Sequence, residues 1–179
     1  MPQQKDWQKE AAAMLAYRCP RYGRLPDLDL YMDQVLYLIE RILGPFAEPG
    51  EKTLTASMVN NYVKQKVLPP PVNKKYNKDH MAYLIVLCLL KKAFTLGEIQ
   101  QLLAVQRAAY PLDRAYDVFC DRWEYALGRV FAPQQTREGQ AGPDAARRDL
   151  LDAAVFAVAN RVYVQKRLLW QGRAEPGQA

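Results

Sequence analysis

Ser57, Asn60, Asn61 and Lys64 are the residues whose types and spacing fit a definable chemistry. At a helical advance of about 100° per residue, with Ser57 at zero, Asn60 falls at about 300°, Asn61 at about 40° and Lys64 at about 340°. All four share one narrow stripe, and Met58, Val59, Tyr62 and Val63 cover the opposite side. Asparagine is a poor helix former, so two in succession weaken a helix that glutamate or lysine would favour. The side-chain amide carries a donor and an acceptor that match N7 and N6 of adenine in the major groove. The bland alternative is a pair of tolerated surface positions.

Other chemistries lack the residues they need. His80 is the one histidine, so histidine-rich metal sites are excluded, and its place at the start of an apolar helix suggests a surface or capping role. Cys19, Cys88 and Cys120 stand far apart with no C-x-x-C pair, which fits free thiols better than disulfides or zinc. Cys88 and Cys120 read as core, and Cys19, before a proline, is the thiol for which exposure stays open. No glycine-rich phosphate loop, nucleophile elbow or H-E-x-x-H is present, so no catalytic residue, metal or cofactor is expected and the protein is not read as an enzyme. Asp113, Asp117 and Asp121 read as an ordinary polar helix face. Met81 to Leu90, the longest apolar run, has half of the ~20 residues that cross a bilayer. The N-terminal MPQQKDWQKE has no apolar stretch, and a cytoplasmic location without membrane contact is expected.

Charge is distributed unevenly. The 179 residues carry a net +6, and residues 51–92 account for it, with eight lysines against Glu51 and Asp79. Residues 1–50 hold six basic and seven acidic side chains, and residues 93–179 hold eleven and ten. A lysine block of this kind is either a solvated face or a footprint for a phosphate backbone, where each neutralised phosphate releases counterions.

Helical periodicity covers the chain, and no stretch reads as a strand. Residues 5–17 form a first helix with Trp7, Ala11 and Met14 on one side. Asp27 or Asp29 is expected to cap a second, in which Tyr31, Val35, Leu38 and Ile42 repeat at helical spacing until Gly44-Pro45 ends it. A short helix from Thr55 stops at Pro69-Pro70-Pro71 and leads to the lysine-rich turn VNKKY. Asn77 or Asp79 opens the apolar helix, and Thr95 with Glu98 has capping-box spacing for a short helix after it. Pro111 precedes an amphipathic helix to residue 131, with Leu112, Tyr116, Phe119, Trp123, Leu127 and Val130 in one stripe. A Gly/Gln/Pro loop spans 132–143, a long helix 144–170, and residues 171–179 form a frayed tail. The expected organisation is an all-α chain with an N-terminal block, 1–106, and C-terminal helices, 107–170, for dimerisation or effector binding.

SMVNNYVKQKVLPPP, followed by KYNKDHMAYLIVLCLLKKAFTLGEIQQLL, resembles the DNA-binding half of MerR-type regulators. Tyr62, Val67-Leu68-Pro69, Tyr76-Asn77 and Phe94-Thr95-Leu96-Gly97-Glu98-Ile99 follow the MerR order over about residues 55–104. The likeness implies a winged helix-turn-helix, with VNKKY as a short wing. Asn60-Asn61-Tyr62 replaces the MerR Arg-Tyr-Tyr triplet, the connection 44–54 is longer than a tight turn, and two amphipathic helices replace the dimerisation coil. RYGRLPDLDLYMDQVL with the same central block is similar to a bacterial family of the DUF1836 type, classified as a domain of unknown function, over roughly 20–170.

The reading that results is a bacterial transcriptional regulator binding double-stranded DNA. The helix Ala56 to Lys66 enters the major groove, where Asn60 and Asn61 read base edges with help from Ser57. Lys64, Lys66, Lys74 and Lys75 neutralise phosphates, and Tyr76 braces the wing. A homodimer is expected, because one short helix reads few bases, with half-sites about one helical turn apart. The alternatives are a protein-interaction adaptor that keeps the helix-turn-helix shape without a DNA role, and a small-molecule-binding helical domain lined by the aromatics Tyr116, Phe119, Trp123, Tyr125 and Phe131. The effector is unknown.

Overall fold

The computed structural model describes residues 2–47, 50–132, 156, 157, 160, 161 and 164, with the side chains of 2–7 not described. The described residues form helices joined by turns and isolated bridges, so the fold is all-helical. The chain divides into two compact units, Met1–Ala132 and Pro133–Ala179. In the second unit the five described residues are helical. The expected loop 133–143, the rest of the helix 144–170 and the tail lie outside the described residues. The divide expected at residue 106 falls inside a helix of the first unit.

That unit contains α1 (Pro2–Ala16), α2 (Met32–Leu43), α3 (Ala56–Lys64), α4 (Lys78–Leu90), α5 (Leu96–Ala109) and α6 (Leu112–Phe131). The central element is α4. Ten successive residues, His80 to Leu89, are buried, as its all-round apolar sequence requires. The buried stripe of α2 is Val35, Ile39 and Leu43, one position away from the anticipated Leu38 and Ile42, which are half-buried. Neither Asp27 nor Asp29 caps this helix. Tyr31 is its N-cap, and its N–H donates to Gln34 Oε1 at 2.9 Å. Asp27 instead pairs with Lys78 at 2.8 Å.

Caps expected at α3, α4 and α5 are present. Thr55 Oγ1 accepts from the Met58 N–H, Asn77 Oδ1 from that of His80, and Thr95 forms a capping box with Glu98. The helix opened by Thr95 is longer than anticipated, running to Ala109.

Packing of α6 on the N-terminal segment depends on its acidic face. Arg21 contacts Glu124 at 2.7 Å and Asp121 at 2.8 Å, the Tyr22 N–H donates to Asp117 at 2.7 Å, and the Cys19 N–H donates to Glu124 at 2.9 Å. The ordinary polar face anticipated for these acids is therefore a docking surface. Cys19, whose exposure the sequence leaves open, is 3 % exposed, and its sulfur lies 3.7 Å from the Tyr116 hydroxyl. The neighbouring Cys120 thiol, with the Tyr116 hydroxyl and the charge of Arg21, outweighs burial and holds the Cys19 thiol below its ordinary value. The Cys19 thiol, together with burial, pushes Cys120 upward.

Candidate nucleic-acid interface

α3 buries Val59 and Tyr62 and half-buries Met58 and Val63, so its opposite face is left to solvent. Ser57, Asn60, Asn61 and Lys64 are exposed together on that face. Among the described residues the side-chain amides of Asn60 and Asn61 have no hydrogen-bond partner, and their donor and acceptor capacity is unspent within the fold.

The C-terminus of α3 closes in a Schellman motif. The Lys66 N–H donates to Val63 O at 3.0 Å and the Val67 N–H to Tyr62 O at 3.0 Å, with Lys66 at φ 58°. Glycine is the usual residue there, because a Cβ is disfavoured at positive φ. The Gln100 side-chain amide on α5 donates to Gln65 O at 2.7 Å and fixes this end of α3 to the body of the fold.

VNKKY folds as a two-residue hairpin. Val72 and Lys75 exchange backbone hydrogen bonds of 2.9 and 3.1 Å, with Asn73 at φ 50° and Lys74 at φ 61°. Two positive φ values at the loop residues are the signature of a type I′ turn, whose twist matches the arms it joins. Asn73, Lys74 and Val72 are exposed, and Val72 is 69 % exposed.

Its base is held from two sides. Leu30 and Tyr76 donate to each other's carbonyls, both at 2.8 Å, which joins the start of α2 to the end of the hairpin. Tyr76 is buried and sets its ring edge-on to His80, with centroids 5.4 Å apart. Of the surface and capping roles expected for His80 it takes the capping one, and it is buried. Its Nδ1 lies 3.1 Å from the Asn77 backbone nitrogen and 2.6 Å from Asn77 Oδ1, and its Nε2 lies 3.3 Å from Pro70 O. One imidazole thus secures both the cap of α4 and the proline segment that enters the hairpin.

The lysines are not equivalent. Lys64, Lys66 and Lys74 are exposed and have no ion-pair partner among the described residues. Lys75 is half-buried, with its ammonium 5.2 Å from the centre of the Tyr31 ring. Lys78 is committed to the fold through Asp27 and lies 5.4 Å from the Tyr22 ring centre; its hydrogen bond and charge hold the Asp27 carboxyl below the ordinary carboxylate range. Tyr31, Val72 and Gln100 have no signal in the sequence that marks them for this surface. Tyr31 and Gln100 act across elements with no shared periodicity, and Val72 is one apolar residue in a turn.

Among the described residues no helix is long and apolar enough to cross a membrane. Residues 20–119 match a family model described as a domain of unknown function (DUF1836). No curated protein matches the chain, and no solved structure does.

Proposed function

The chain belongs to the DUF1836 family, and we propose that it is a sequence-specific DNA-binding protein, a transcriptional regulator with a MerR-like winged helix-turn-helix. In this reading α3 enters the major groove of double-stranded DNA, and Asn60 and Asn61 contact base edges with Ser57 beside them. Lys64, Lys66, Lys74 and Lys75 meet phosphates, and the hairpin 72–75 is the wing, braced by Tyr76. The observation that carries the reading is the pair of exposed, unpartnered amides on the outer face of α3, flanked by exposed lysines without ion-pair partners among the described residues. A cytoplasmic homodimer completes it, since two copies of so short a helix read a useful number of bases.

The test is selection of bound duplexes from a random pool, repeated with Asn60 and Asn61 both changed to alanine. The expected result is an enriched motif with two-fold symmetry that is lost in the variant. With three or four phosphates neutralised per protomer, log affinity falls with log salt at a slope of about −0.9 for each. Absence of enrichment, together with weak binding insensitive to salt, overturns the reading.

A protein-interaction adaptor is the second reading. It is favoured by the exposed apolar side chains Tyr31, Tyr37 and Val72, on α2 and the hairpin, where a partner protein rather than a phosphate backbone would find purchase.

A further inference from the structure

A cleft of about 230 Å³ opens between α4, α5 and α6. Ala82 and Val86 on α4, Leu102 and Leu103 on α5, and Ala115 and Phe119 on α6 make its lining apolar. Arg107 on α5 and Arg122 on α6 also line it, and both are exposed. Among the described residues no carboxylate lines the cleft, and neither arginine has an ion-pair partner. Three of the four acids of α6 are engaged elsewhere. Asp117, Asp121 and Glu124 are held by Tyr22, Arg21 and Cys19 at the N-terminal segment, which leaves Arg122 with no acid of its own.

An isolated exposed arginine is ordinary, and a shallow apolar cleft is ordinary too. Their conjunction defines a ligand with an apolar body and an anionic head, because hydrocarbon gains from leaving water and a guanidinium holds a carboxylate through paired N–H donors. We propose that the cleft binds an amphipathic monocarboxylate, with its hydrocarbon chain between α5 and α6 and its carboxylate on Arg107 and Arg122. The volume is below the ~300–1,000 Å³ of drug-sized sites, which selects a medium-length chain over a polycyclic acid. The inference is independent of the DNA-binding reading, although the floor of the cleft is α4, the helix whose first turn secures the hairpin through His80.

The full-length chain titrated with octanoate and decanoate, 1-octanol and octylammonium, by calorimetry and thermal melting, tests this. One carboxylate binds per chain, saturably, and raises the melting temperature; 1-octanol binds at least tenfold more weakly, and octylammonium does not bind. Changing Arg107 and Arg122 together to glutamine brings octanoate down to the affinity of 1-octanol and leaves the alcohol unchanged. Ala115→Phe fills the cleft and abolishes both. The arginine variant alters exposed positions only, so the test stands even if the cleft-filling variant folds poorly. Equal affinity for alcohol and carboxylate, indifference to the arginine pair, or no saturable binding up to the millimolar range overturns the proposal. So does sedimentation showing a self-association that Ala115→Phe removes, since the cleft then seats a second copy.

Discussion

Lys66 and Lys74 share a backbone conformation that L-residues avoid, at φ 58° and 61°, and both side chains are exposed. Exposure leaves neither lysine a buried surface to offset the conformation. Glycine at either position should therefore stabilise the protein by about 0.5–1 kcal/mol, the relief of the left-handed strain less the added freedom of the unfolded chain. If the lysines serve phosphate binding, the same changes weaken DNA binding and flatten its salt dependence by about 0.9 in log–log slope for each phosphate left unneutralised. Urea midpoints and binding at graded salt read the two effects separately. Stabilisation with unchanged binding would remove these lysines from the interface.

Asn60→Ala and Asn61→Ala should behave differently from the lysine variants. Each lies exposed on α3 with no partner among the described residues, so stability should stay level or rise slightly, alanine being the better helix former. Removing an amide that reads a base costs about 1–3 kcal/mol at one operator position and relaxes choice there, whereas removing a cation from a phosphate weakens all sequences alike. Binding of each variant to singly substituted operators distinguishes the two patterns.

Much of this surface is legible in the sequence because its signals are local. Thr55, Asn77 and Thr95 cap helices through side chains three residues from their partners, and the Val59/Tyr62 against Asn60/Asn61 division follows from helical period alone. The supports are not legible in the same way. Leu30 meets Tyr76 through backbone groups, which carry no side-chain signature, and Arg21 meets Glu124 across 103 positions. The acids of α6 have the spacing of any solvated face, so their docking role depends on where the N-terminal segment runs. The left-handed residues are hidden for a different reason: glycine is the usual marker of such positions, and lysine occupies two of them.

Two buried tyrosines on different helices make a controlled comparison. The Tyr116 hydroxyl donates to Pro20 O at 2.8 Å, whereas the Tyr62 hydroxyl is buried with no partner among the described residues. Burial pushes the Tyr62 phenol up to about 12. Tyr62→Phe removes an unsatisfied polar group and should be neutral or stabilising, while Tyr116→Phe leaves Pro20 O with only the long contact from Cys120 Sγ at 3.9 Å and should cost about 1–3 kcal/mol. Chemical denaturation of both variants checks this; equal losses would mean that the Tyr62 hydroxyl has a partner after all.

The contact between Arg21 and Glu124 should make stability depend on acid pH with a definite sign. The Arg21 guanidinium, helped by the Cys19 N–H, holds the Glu124 carboxyl below its ordinary value of 4.5, against partial burial. The native state therefore takes up this proton at lower pH than the unfolded state does. The contribution is fully present above the ordinary value and is lost as the pH falls through the depressed native one. Glu124→Gln removes the titration, so wild type should exceed the variant at pH 7 by on the order of 1 kcal/mol, discounted because Arg21 is partly exposed. That excess should shrink steadily below pH 4.5. Urea unfolding of both proteins from about pH 7 to about pH 3 measures it, and a gap that stays constant over that range would show that Glu124 is not held ionised by Arg21.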